Sequence, residues 1–233
     1  MGKSKMDNRN PYLQDLSNVH NYDLMKDYLF YRLTSIHDRM INSVPHTVVG
    51  DIAITYHILF ENSDDTLKSV RVTNSLFDQY GITLDQLHAD AMESCPKLFP
   101  SVIMPLESVV GNPPVERDPS SGSQMFYISN DIGCNGAAAV FYPDRLNDFA
   151  NRIGSDLYVI PSSQDECILV PTSSDVDADY LKKTLYECNR MIFTEGKQVS
   201  DTLYHYEKDS RKFEKFDDYL KRIHKNKTVN MSL

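Results

Sequence analysis

The chain of 233 residues carries 33 acidic against 24 basic side chains, a formal charge of −9 at neutral pH. That balance argues against general binding to a nucleic-acid backbone, whose affinity is assembled from Lys and Arg. Hydrophobic residues at 41% and charged residues at 24% suit a globular protein, and the length allows one large domain or two small ones.

The start, MGKSKMDNRN, lacks the apolar stretch of a signal peptide, and Met6 breaks the myristoylation pattern. No apolar run approaches the roughly 18 residues needed to cross a bilayer. A cytoplasmic location without membrane contact is expected, where the sequons at Asn226 and Asn230 carry no meaning. Cys95, Cys134, Cys167 and Cys188 form no CxxC pair, so zinc and redox motifs lack support and buried free thiols are expected. No cofactor is called for.

In chain order, residues 1–21 are polar and aperiodic and read as a loose leader. Met25, Leu29, Leu33, Ile36 and Met40 then fall at spacings of four, four, three and four, which predicts a helix ending before Pro45. Ile52 to Phe60 predicts a strand, the polar ENSDDT a turn, and Val70 to Thr73 its antiparallel partner. A short helix near Ser75 to Tyr80 breaks at Gly81. Thr83 and Gln86 form a capping box for the next helix, with Leu84, Leu87, Ala91 and Cys95 inward and Pro96 and Pro100 as its end.

Residues 111–124, GNPPVERDPSSGSQ, contain almost nothing to bury and read as a flexible loop or linker. This divides the chain into an amino-terminal α+β part (22–110) and a carboxy-terminal α+β part (125–216). Met125 to Ile128 and Ala137 to Tyr142 are predicted strands joined by a glycine-containing turn. Leu146, Phe149, Ala150 and Ile153 stripe a helix that Gly154 stops. Leu157 to Ile160 and Cys167 to Val170 are apolar at successive positions, as in a strand pair covered on both faces inside a sheet. Leu181, Leu185, Cys188 and Ile192 stripe a helix capped by Asp175 or Asp177. Leu203 to Tyr206 is a closing strand, and 217–233 holds a charged helical tail. The fold class expected is α+β, a mostly antiparallel sheet with flanking helices.

The turn Ser162, Ser163, Gln164, Asp165, Glu166 is the densest set of small polar groups between buried strands. It offers a serine nucleophile or a carboxylate base, but no GxSxG elbow accompanies it. Ser and Asp are also ordinary hairpin residues, and that structural reading is preferred. The loop Asn130 to Gly136 offers oxygens and glycines without EF-hand or P-loop spacing, so a plain hairpin turn is expected. The seven histidines form no HExxH or HxH pair and read as lone imidazoles. RKFEKF, Arg211 to Phe216, interleaves cations with aromatics as single-strand binders do, but acidic neighbours oppose a polyanion. An exposed hairpin or helix start is preferred there. The 14 tyrosines and 10 phenylalanines suggest an aromatic-rich core or a contact surface for a partner.

The pieces AAAVFYPDRLNDFANRIGSDLYVIPSS, ECILVP and VSDTLYHY resemble an uncharacterised bacterial family, domain of unknown function number 5688, found mainly in Gram-positive anaerobes. VPHTVVGDIAITYHILFE and VRVTNSLFDQYGITLDQLHADAMESCPKLFP are similar to it as well, so the resemblance covers most of residues 22–206. It implies no activity, cofactor or catalytic residue. Related chains often carry a further amino-terminal portion, and often His-Glu where this chain has Asp165-Glu166. The latter departure weakens a metal or acid–base role at that turn.

The favoured expectation is a non-catalytic cytosolic module that binds a protein partner or small ligand through a sheet edge or aromatic surface. The first alternative is a hydrolase-like enzyme using Ser162, Ser163, Asp165 and Glu166, with His205 brought close by folding. The second is a nucleic-acid accessory protein.

Overall fold

A computed structural model describes residues 8–63, 66–108, 125–192 and 198–230. It is α+β, with two antiparallel sheets and flanking helices. The first sheet is built around one long strand. It contains β1 (Asn8–Arg9), β2 (Leu29–Ser35), β3 (His46–Val49), β4 (Ile52–Ser63) and β5 (Thr66–Arg71). All four others pair antiparallel with β4, β2 against its first half in the register Leu29 to Ile58, Tyr31 to Tyr56, Leu33 to Ile54.

The stretch expected as a helix from Met25 to Met40 is different. A single turn, α1 (Tyr22–Met25), leads through a short 3-10 segment into β2. Residues four apart share a face in a helix and in a strand alike, so Met25, Leu29 and Leu33 fit both periods. The consecutive bulky residues Leu29, Phe30 and Tyr31, each at most 1% exposed, need packing on two opposite faces, which a strand provides. The first residues described are also not loose. Asn8 and Arg9 pair with β4, Leu13 is 1% exposed, and the Tyr80 hydroxyl donates to the Val19 carbonyl at 2.7 Å.

α2 (Asn74–Tyr80) ends at Gly81 in the left-handed conformation, and α3 (Leu84–Leu98) lies across the sheet. The Thr83 hydroxyl accepts from Gln86 N–H at 3.2 Å, so half of the expected capping box forms. The Gln86 side chain instead reaches forward to Asp90 at 2.9 Å. Pro96 does not end α3. Buried Cys95 and Phe99 hold the last turn, closed by Phe99 N–H to Cys95 C=O at 2.9 Å. One face of the sheet, carrying Leu29, Tyr31, Leu33, Ile54, Tyr56 and Ile58, meets α3. Ser94 donates to the Leu29 carbonyl at 2.5 Å, and the Tyr56 hydroxyl bonds His88 at 2.9 Å. By the two-residue period of a strand, the other face carries Phe30, Arg32, Thr34, Ala53, Thr55 and His57.

The second sheet holds β6 (Ser101–Pro105), β7 (Phe126–Asn130), β8 (Leu157–Ile160), β9 (Cys167–Pro171), β10 (Tyr204–Glu207) and β11 (Lys212–Lys215), in the order β11-β10-β8-β9-β7-β6. β8 and β9 pair inside it, as their apolar runs predict. α4 (Arg145–Ile153) ends at Gly154, as its stripe predicts. Val170, Leu181, Leu203 and Phe216 form a cluster to which α5 (Ala178–Ile192) and α6 (Phe216–Asn230) contribute.

Two expectations for this half are corrected. Gly136–Phe141, read as part of a strand, is a 3-10 turn with Gly136 to Val140 buried. Its alanines present no branched surface for a sheet, and the first turn is held by Ala137 N–H to Gln164 C=O at 3.2 Å. Nor does Leu203 to Tyr206 close the sheet, because Lys212–Lys215, within the RKFEKF run, pairs outside it as the edge. The linker assigned to 111–124 lies outside the described residues. One hydrophobic cluster runs from Leu13 through both sheets to Tyr206, so the two α+β parts share a core. No helix among the described residues is long and apolar enough to cross a membrane.

Candidate functional site

The turn singled out in the sequence is held by its own polar atoms. Ser163, 6% exposed, accepts at its hydroxyl from Asp165 N–H at 3.0 Å and donates its own N–H to Glu166 C=O at 3.2 Å. Asp165 then ties the turn to the loop after β7. Its carboxylate accepts from Asn135 N–H at 2.8 Å, and its carbonyl accepts from the Ser129 hydroxyl at 2.6 Å. A Cβ on Gly136 would collide with Ser129, the Asn130 nitrogen and the Asp165 carbonyl, so glycine is what lets the two loops touch. The loop expected as a plain hairpin turn is therefore one side of a loop-on-loop contact. Ser162 and Glu166 are half-buried at its ends.

His205 is not at this turn. It sits on β10 opposite Tyr158, towards the start of β8, whereas the turn follows the end of β8. Its ring is 2% exposed and stacks on Tyr219 at 3.8 Å, and Nε2 lies 3.9 Å from Asp156. Nδ1 is buried without a hydrogen-bond partner. Burial lowers its pKa, against the upward pull of Asp156, Glu207 and Glu214. The histidine that shares a hollow with the turn is His57, which meets it through Gln164.

That hollow lies on the second face of the first sheet. It encloses about 70 Å³ and is lined by Arg32, Thr34, Thr55, His57, Arg71 and Gln164, with Asp38, Met40, Ile41 and Val44 along one wall. One ordered water needs roughly 10–15 Å³, so the space suits a small chemical group. The floor comes from strand alternation. Arg32 pairs across to Thr55, and His57 to Arg71, so β2 and β5 bring one arginine each to opposite flanks of β4. Arg32 spans the strand, donating from Nη2 to the Ser69 hydroxyl on β5 at 2.8 Å, with its guanidinium 5.3 Å from the Phe30 ring.

The electrostatics are unbalanced. Nε of Arg32 is buried without a partner, and neither Arg32 nor Arg71 forms an ion pair among the described residues. Burial lowers the Arg32 pKa, with Arg71 adding to that, and the net shift stays downward despite the opposing pull of Cys134 and Asp165. The nearby acids, Asp38 on the wall of the hollow and Asp165 next to Gln164, already accept hydrogen bonds. Asp38 accepts from Met40 N–H at 2.7 Å and Thr34 at 3.3 Å, and Asp165 accepts from Asn135. His57, 2% exposed, is driven well below the ordinary imidazole pKa by burial and by Arg32 and Arg71, so it is neutral at neutral pH. Its Nε2 sits 3.3 Å from the Thr55 hydroxyl. The arrangement offers two cations, a neutral imidazole, hydroxyls and one hydrogen-bonded carboxylate, Asp38.

Sequence reasoning missed Arg32, His57 and Arg71. The usable signal was polar residues two apart inside apolar runs, Arg32 and Thr34, then Thr55 and His57. Reading the first run as a helix scattered those side chains over different faces. Among the described residues, no group of three or more His, Cys, Asp or Glu is placed to hold a metal ion. Cys95 and Cys167 are buried free thiols and Cys134 is half-buried. Burial raises the Cys95 pKa to about 11, away from nucleophilic character.

A family model described as a family of unknown function, DUF5688, matches residues 3–208. The match spans both sheets through β10 and includes every residue of the hollow. Searches of the curated proteins and of the solved structures gave no significant match.

Proposed function

We propose, for a chain that belongs to the DUF5688 family of unknown function, a non-catalytic binding module whose ligand enters the hollow on the first sheet. One observation carries this reading. The hollow gathers Arg32, Arg71, His57 and Thr55, and neither arginine forms an ion pair among the described residues. Buried polar groups ordinarily find partners within the fold, and the Arg32 Nε proton, buried without one, is what a ligand would complete. Two groups of the hydrolase alternative, Ser163 and His205, lie apart from one another in other surroundings. The Ser163 hydroxyl accepts from Asp165 N–H, and His205 lies against Tyr219 and Asp156. We place the module in a bacterial cytoplasm, on the sequence resemblance and on buried free thiols that suit a reducing compartment.

Ligand-observed NMR with a fragment set of neutral, acidic and basic compounds tests the reading. Binding should be lost when Thr55→Phe or, separately, Gln164→Phe fills the hollow in a chain that keeps its fold by circular dichroism. Fragments that bind equally well to both filled variants, or an absence of binding to the wild type, would overturn it.

A further inference from the structure

We propose that the hollow is a site for an oxyanion headgroup, a phosphoryl or carboxylate group of a small ligand, held by Arg32 and Arg71 over a floor of His57 and Thr55. This rests on the binding reading above and adds the chemistry of the ligand.

The argument starts from the strands. β2 and β5 flank β4, so Arg32 and Arg71 approach the same hollow from two sides. Both arginines line the hollow and the Arg71 charge disfavours that of Arg32, a repulsion that an anion seated beside them would relieve. Asp38 lies on the wall of the hollow, but its carboxylate is already taken by Met40 N–H and the Thr34 hydroxyl, and Asp165 accepts from Asn135, so among the described residues no ion pair neutralises either arginine. The Arg32 Nε proton is buried and unused, while Nη2 is anchored on Ser69. That anchor and the Phe30 ring hold the planar fork in place before any ligand arrives, which reduces the ordering cost of binding. A guanidinium fork matches the paired oxygens of a carboxylate or phosphoryl group. His57 is held neutral and can donate from one ring nitrogen.

Size narrows the class. About 70 Å³ accommodates a headgroup, so the remainder of the ligand must lie outside, along Met40 and the exposed Arg71. The surrounding chain is acidic, which disfavours long polyanions and leaves a small, singly seated anion as the occupant.

Isothermal titration calorimetry of the full chain with inorganic phosphate, phenyl phosphate, acetate and benzoate, with benzyl alcohol as the neutral control, tests the proposal. Phosphate or carboxylate binding is expected with a dissociation constant of about a millimolar or tighter. Arg71→Ala, at an exposed position with no ion pair to lose among the described residues, should weaken it about tenfold to a hundredfold. Arg32→Gln should do the same, and a shift of the His57 ring NMR signals on titration should mark the location. Preference for the phosphates over the carboxylates, or the reverse, assigns the headgroup. Binding of benzyl alcohol in the hollow without binding of any anion would overturn the anion assignment and leave the binding module standing. Anion affinity that Arg71→Ala and Arg32→Gln both leave unchanged would overturn it too.

Discussion

Tyr204 and Asp51 bind each other twice. The Tyr204 hydroxyl donates to the Asp51 carboxylate and accepts from the Asp51 backbone N–H at 3.0 Å. The same carboxylate accepts from Ser200 at 2.7 Å and Thr202 at 2.6 Å, with Lys215 at 3.9 Å. This cluster joins the β3–β4 turn of the first sheet to β10 of the second. Because the acid is satisfied on all sides, it is a structural tie, unlike the open arginines of the hollow.

Removing either partner should destabilise the protein by about 1–3 kcal/mol, the cost of leaving a partly buried charged hydrogen bond unmade. Tyr204→Phe and Asp51→Ala should be non-additive in a double-mutant cycle, with coupling of about 1 kcal/mol or more, read from denaturant unfolding. Additive effects would show that the two residues do not depend on one another.

Burial pushes the Asp51 carboxyl upward in pKa, but hydrogen bonds from Thr202, Tyr204 and Ser200, with Lys215, outweigh it and hold the group below its ordinary value. A depressed folded value means the contribution is complete above the unfolded pKa of about 4 and is lost as pH falls through the folded value. Wild type and Asp51→Asn should therefore converge in stability below about pH 4. Acid titrations followed by circular dichroism give the comparison.

Gly50 has φ of +67°, and a Cβ there would overlap the Tyr204 hydroxyl. Gly81 has φ of +64° with open space around the same position. Gly81→Ala should cost about 1 kcal/mol in backbone strain alone, and Gly50→Ala at least about 1 kcal/mol more, since it adds a collision. Thermal unfolding of both variants separates the two terms. Equal losses would remove the collision from the account.

His57 acts on stability with acid in a related way. Kept neutral in the fold by burial and by Arg32 and Arg71, it protonates more readily when the chain unfolds. Its contribution is complete above the unfolded pKa of about 6.5 and shrinks as pH drops below it. Burial also lowers His88 and His205, which act in the same direction. His57→Gln should flatten the stability loss between pH 6.5 and 5 by about 1 kcal/mol, with the remainder left by the other two.

Replacing Arg32 by Met tests whether this cation serves ligand or fold. Met keeps the apolar stem against Phe30 and removes a partly buried charge that has no ion pair among the described residues. Stability should change by less than about 1 kcal/mol or rise, while anion binding is lost. A loss of several kcal/mol would make Arg32 a structural residue.

The middle of the second sheet was legible, because Leu157–Ile160 and Cys167–Val170 are short apolar runs and Gly154 marks a helix end, whereas its edges, Ser101–Pro105 and Lys212–Lys215, were not. β2 was not legible, since Leu29 and Leu33 satisfy both periods and only pairing with β4 decides between them. The 3-10 turn at Gly136–Phe141 depends on a long-range bond from Ala137 to Gln164, which no local pattern announces. The turn at Ser162 to Glu166 was noticed for its polarity, and that polarity serves loop docking. The hollow needed three separated segments, around Arg32, His57 and Arg71, to be laid side by side. Strand register is the information that a single sequence withholds.

Asp51 and its donors stand 149 to 153 positions apart along the chain. During synthesis the first sheet therefore emerges long before Ser200, Thr202 and Tyr204 exist to receive its acidic corner. A nascent chain halted before residue 200 would carry β4 with that corner still hydrated, and the joint between the sheets would snap shut only after β10 is released.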